Sequence, residues 1–195
     1  MPLPESAARK KMHHRHIDCE GFLRDDGFWD IEAHMRDTRT YDCGYDEDHR
    51  GGIIKAGEPV HDMWLRLTID LDFVIRDAVA SSDHTPFGIC TQAAVEMKAL
   101  VGMQIGQGWM KQVRARIGTD RSCTHLMDLL GPIAATAYQT LHRALEDREA
   151  QGSDRRKPVI LDTCIALASD GDVVKKRWPE FYRGNKSNPK QENST

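Results

Sequence analysis

The stretch Arg121-Ser-Cys-Thr-His-Leu126 places a thiol and an imidazole two residues apart, where the periodicity of a long amphipathic helix begins. The positive end of the helix dipole and the Arg121 guanidinium both favour the thiolate, the form that ligates zinc or attacks an electrophile. At this spacing Cys123 and His125 do not share a helix face, so a joint metal corner needs turn geometry. The plainer alternative makes Cys123 a small buried residue and His125 a packing or capping one. Cys90 follows Thr85-Pro-Phe-Gly88 and also stands just before a predicted helix, which repeats the pattern. His61-Asp62 offers an imidazole and a carboxylate where a loop runs into a strand, the residue types of a general base and the group that orients it. The competing reading there is a solvated polar turn.

The other histidines carry less. His13, His14 and His16 fall in a basic N-terminal arm, His34 on the polar face of a strand and His142 on a long helix. The glycine-rich run 102–108 lacks the Lys-Ser/Thr of a phosphate loop. The chain contains neither a Gly-x-Ser-x-Gly elbow nor a His-Glu-x-x-His helix.

These residues need a scaffold. At 195 residues, with 39% hydrophobic and 29% charged side chains, the chain is sized for one globular domain. A net charge of −3 gives no general electrostatic reason to bind nucleic acid. No stretch reaches the roughly 20 apolar residues that span a membrane, and the N-terminus has no apolar core of a secretory signal. Five cysteines, an odd number, argue against a disulfide framework and for a reduced, cytoplasmic protein.

Residues 16–24 and 28–38 alternate on either side of Asp25-Asp-Gly27, a strong hairpin signal. The second strand puts Phe28, Asp30, Glu32 and His34 on one face and Trp29, Ile31, Ala33 and Met35 on the other. Residues 39–58 read as a long loop, of a length that suits a cover over a site. A second hairpin follows at 63–70 and 73–82, then helices over 91–100, 108–117 and 126–150, the last interrupted at Gly131-Pro132. Residues 159–167 and 173–178 read as a C-terminal hairpin around Asp170-Gly-Asp172. The expected fold is therefore α+β, with these three hairpins forming an antiparallel sheet packed against three helices. A flexible arm (1–14) precedes a single domain (15–182), and a polar tail (183–195) ends the chain.

Two resemblances bear on function. From Gly57 to Leu145 the chain resembles the NifU-type iron–sulfur cluster assembly scaffold, with Pro59-Val-His61-Asp62 before a hairpin, Cys90 before a helix and Arg121-Ser-Cys123 before the long helix. That resemblance implies a NifU-like core in which Asp62, Cys90 and Cys123 face one another as metal ligands and His61 replaces the first thiolate, a set suited to zinc. The stretches 57–64, 123–126 and 161–164 resemble a proteobacterial family classed as domain of unknown function 2889. This second resemblance implies aromatic-compound catabolism, including formaldehyde-releasing cleavage of lignin-derived dimers.

The resulting expectation is an enzyme acting on a small aromatic substrate, most concretely a lyase that removes a hydroxymethyl group as formaldehyde. His61, Asp62 and His125 are the expected catalytic residues. Asp62, Cys90 and Cys123 are the expected metal set, with zinc the candidate cofactor. A homodimer is an open arrangement. The rival expectations are a metal- or cluster-carrying scaffold without catalysis, and an interaction protein whose thiols are merely core.

Overall fold

Alternating apolar residues place one face of a four-stranded antiparallel sheet in the core. In the computed structural model, which describes residues 3–45, 49–118, 120–151, 157–158 and 160–184, the strands are β1 (His13–Leu23), β2 (Trp29–Arg39), β5 (Pro59–Ile69) and β6 (Ile75–His84). They lie side by side in the order β1-β2-β5-β6. Between β2 and β5, β3 (Cys43–Gly44) and β4 (Ile53–Ile54) pair as a separate two-stranded sheet beside a 3₁₀ turn at Arg50–Gly52. The segment expected as a plain loop therefore has structure of its own.

The first two expected hairpins form. Gly27 takes a left-handed φ of 84° in the first turn, and in the second Phe73 does so at 61°, with Asp70 Oδ1 accepting from the Asp72 and Val74 amides. His13 and His14, expected in a flexible arm, are the first residues of β1.

Contacts divide the chain into two units: Met1–Ile105 with Trp109–His142, and Gly106–Gly108 with Arg143–Thr195. In the first, the sheet contributes Ile31, Ala33, Met35, Met63, Leu65 and Leu67 to the core, all at most 1% exposed. The expected helix at 91–100 is a chain of short pieces: a 3₁₀ turn (Gly88–Gln92), α1 (Ala93–Glu96) and a second 3₁₀ turn (Met97–Leu100). Helix α2 (Trp109–Ile117) buries Trp109, Val113 and Ile117 at four-residue spacing.

Helix α3 (Thr124–Ala150) is continuous, with Pro132 inside it rather than breaking it. Leu126, Leu129, Leu130, Ile133 and Ala137 give the i, i+3, i+4, i+7 stripe of a helix lying on a core. The approach to β1 is close, since a Cβ on Gly21 would fall 1.8 Å from Thr140 Oγ1.

In the second unit the expected C-terminal hairpin does not form. Residues 165–167 are a 3₁₀ turn and α4 (Asp172–Arg177) is a helix. Val174 and Trp178, four residues apart, bury against Leu161 as a helix face does. Asp172 in the first turn and Lys175-Lys176-Arg177 in the last suit the helix dipole. The tail from 185 onward lies outside the described residues.

Candidate functional site

Three adjacent strands line up a row of polar residues at one end of the sheet's inner face. Arg15 on β1 pairs in register with Asp37 on β2, and Asp37 with His61 on β5. Asp37 is two residues past Met35, in phase with the apolar stripe 31-33-35, so the strand carries its carboxylate into the interior. Its side chain is 3% exposed. The ladder is irregular on both sides of His61-Asp62: Val60 is skipped in the pairing with β2 and Asp83 in the pairing with β6. Such extra residues bend a strand and re-aim its side chains, and they concentrate beside active sites.

Asp37 is the hub. Arg15 grips it edge-on, Nε to Oδ1 and Nη2 to Oδ2, each at 2.8 Å, and extends Nη1 to Asp128 Oδ2 on α3 at 2.9 Å. His61 Nδ1 lies 3.1 Å from Asp37 Oδ2, and His13 Nε2 lies 3.3 Å from Oδ1. The first turn of α3 brings His125 over His61, their rings stacked at 3.6 Å between centroids, with His125 Nε2 3.9 Å from Asp37 Oδ2. Cys123 Sγ lies 3.8 Å from His125 Nδ1.

Burial and charge set the protonation states. Burial pushes the Asp37 carboxyl up, but the hydrogen bonds and charge of Arg15, helped by His61 and His13, hold it below the usual carboxylate range. Burial, reinforced by His125, lowers His61 to about 4 despite the opposing pull of Asp37. His125 is lowered chiefly by burial and next by Arg15. Near neutral pH the centre therefore comprises one carboxylate paired with one guanidinium, beside two neutral imidazoles. With Nδ1–H donating to Asp37, His61 Nε2 is left as a proton acceptor.

Of the residues expected from sequence, His61 and His125 are brought together and Asp62 is not placed with them. As the next residue of a strand, Asp62 points to the opposite face. There it accepts from His34 Nε2 at 2.6 Å, with Arg36 Nε at 3.7 Å and His84 Nδ1 at 3.9 Å. His34 in turn stacks on Trp64, centroids 3.8 Å apart and rings within 4° of parallel. The carboxylate that orients His61 is Asp37.

The expected metal set of Asp62, Cys90 and Cys123 is likewise not the group that converges. Among the described residues, the His, Cys and acidic side chains whose ligand atoms fall within 4.8 Å of one another are Asp37, His61 and His125. Cys123 stands behind His125. Cys90 lies in the turn before α1, its thiol raised by burial and then by the nearby charge of Cys123. No sequence motif marks Asp37, Arg15 or Asp128, although an acid in phase with an apolar strand face is a readable signal at Asp37.

The model of a family described as "Protein of unknown function (DUF2889)" matches residues 13–139, from the first residue of β1 to two turns past Pro132 in α3. The chain belongs to this family. The match encloses every residue of the Asp37 centre. No curated protein and no solved structure matches the chain. Among the described residues no helix is long and apolar enough to cross a membrane.

Proposed function

We propose that the protein is a small-molecule enzyme whose reaction begins with loss of a proton from a primary alcohol at the Asp37–His61–His125 centre. The most concrete form is a C–C lyase that releases formaldehyde from the hydroxymethyl side chain of an aromatic substrate, of the lignin-derived phenylpropanoid class. The observation that carries this reading is the pair of buried Asp37 and half-buried His61, fixed by Arg15 and flanked by a second neutral imidazole.

The chemistry balances without an oxidant. The alcohol proton passes to an imidazole nitrogen and the C–O bond becomes a carbonyl. The adjacent C–C bond breaks, and its electron pair stays on the remaining carbon, which is then protonated. One hydroxymethyl compound gives one formaldehyde and one shortened product. Asp37 keeps His61 in the tautomer that exposes Nε2 and stabilises the imidazolium that forms. Arg15 keeps Asp37 ionised while it does so.

The test is formaldehyde release from a panel of aromatic compounds bearing a hydroxymethyl side chain, with the shortened product quantified in parallel. Equimolar products are expected. Asp37→Asn and His61→Gln should each lower the rate by roughly 100-fold or more, the usual range for losing a positioned acid–base group. No release from any compound, or full activity in His61→Gln, would sink the reading.

A further inference from the structure

We infer that Asp37 Oδ2, His61 Nδ1 and His125 Nε2 hold one divalent first-row transition ion of the zinc class, with a coordination position open to the substrate alcohol. This names a cofactor for the centre just described and rests on the reading that chemistry occurs there.

The argument is one of lone pairs and distances. A carboxylate offers about four acceptor sites, two on each oxygen. Arg15 occupies one on each, and His13 approaches Oδ1 at 3.3 Å. The remaining site on Oδ2 serves the side where both imidazoles stand, at 3.1 and 3.9 Å. The second of these gaps is too long for a hydrogen bond, so His125 Nε2 and Asp37 Oδ2 face each other without bonding directly. Bonds of about 2.0–2.2 Å in a tetrahedral zinc site separate neighbouring ligand atoms by roughly 3.3–3.5 Å. The two separations from Asp37 Oδ2 straddle that value, and one ligand atom from each of the three residues lies within 4.8 Å of the other two, so the site closes once the stacked His61 and His125 rings part to turn both nitrogens onto one ion.

The surroundings supply what such a site needs. Ligating imidazoles are held by a partner on their other nitrogen, and Cys123 Sγ stands 3.8 Å from His125 Nδ1. Two imidazoles and one carboxylate suit zinc, iron or cobalt, whereas magnesium and calcium prefer all-oxygen shells. An ion here would take over the task of lowering the pKa of the bound alcohol, replacing the His61–Asp37 hydrogen bond with two bonds to itself.

The experiment uses the full chain, stripped with a chelator and titrated with cobalt(II) while the visible absorption of the bound ion is followed, with zinc(II) then used to displace it. One ion per chain is expected, with an absorption indicating four- or five-coordination. His61→Gln and His125→Gln should each weaken binding tenfold or more, and His84→Gln, on the other face of the sheet, should not. Cobalt binding unchanged in both inner-face variants, or lost instead in His84→Gln, would overturn the inference, since the ion would then sit on exposed histidines. So would the absence of a stoichiometric ion. Formaldehyde release at full rate by stripped protein would refute the ion and leave the proposed function standing. An ion bound as described, with no formaldehyde from any substrate, would refute the proposed function and leave the site standing.

Discussion

The two faces of the sheet carry nearly the same ingredients in opposite settings. Inside, Asp37 meets His61, His125, His13 and Arg15; outside, Asp62 meets His34, His84 and Arg36. The outer acid is 15% exposed against 3% for the inner one, and its guanidinium stands at 3.7 Å rather than gripping it at 2.8 Å twice. Helix α3 covers the inner centre with His125 and Asp128, whereas Trp64 on the outer face remains 42% exposed. Residue types alone do not separate a covered centre from a solvated cluster. What separates them is the layer above: it removes water, which strengthens charge pairing and keeps the imidazoles neutral.

The sharpest way to break the comparison is to neutralise each acid in turn. Asp37→Asn leaves Arg15 without its buried partner and should lower stability by roughly 2–4 kcal/mol in urea unfolding, somewhat under the full cost of an orphaned buried charge because Arg15 is one-third exposed and keeps Asp128. Equal losses for Asp37→Asn and Asp62→Asn would erase the distinction between the faces.

A pH series gives the next effect. Because His61 titrates at about 4 in the folded chain and near 6.5 when unfolded, the unfolded state binds more protons between those values. Stability of the ion-free protein should therefore fall as pH drops from 6.5 towards 4, with about 2–3 kcal/mol of the loss from His61 and a further share from His125, which is lowered in the same direction. Asp37 adds a separate loss below its ordinary carboxylate value of 3.8. His61→Gln should make the first window shallower, leaving the share of His125, and should leave the second in place. A profile identical to that of the parent protein would show that His61 is not the buried neutral group.

Packing above the sheet can be tested at Gly21. Valine there collides with Thr140 and should cost about 1–3 kcal/mol, partly recovered by Thr140→Ala. No coupling between the two changes would mean that α3 does not lie against β1 at that point. Smallest of all, Asp62→Asn should change stability by less than about 1 kcal/mol, as partly solvated pairs do.

Much of this is legible in the sequence. The alternation in β2 and β5, the Asp-Gly turn and the apolar spacing of α3 each specify an element and its buried face. Pro132 misleads as a breaker because the stripe from Leu126 to Ala137 continues through it, and burial of that face outweighs one lost backbone bond. The C-terminal segment reads as a strand because of its β-branched run, although Val174 and Trp178 at i and i+4 spell a helix. His61 and His125 were visible by residue type. Closeness in sequence pairs Asp62 with His61, but in a strand it puts them on opposite faces. The true partner, 24 residues away, follows only from the registration of two strands that sequence periodicity leaves open.

The skipped residues Val60 and Asp83 give this sheet something like punctuation in a reading frame. A one-residue slip of β2 would carry Asp37 outward and bring Arg36 in, exchanging the chemistry of the two faces. An irregularity on each side of His61-Asp62 makes such a slip discontinuous, because the paired segments can no longer slide past one another as uniform ladders. Insertions are thus expected to be absorbed at 39–58, beyond the punctuation, whereas a single added residue between Trp29 and Asp37 would turn the protein's chemistry inside out.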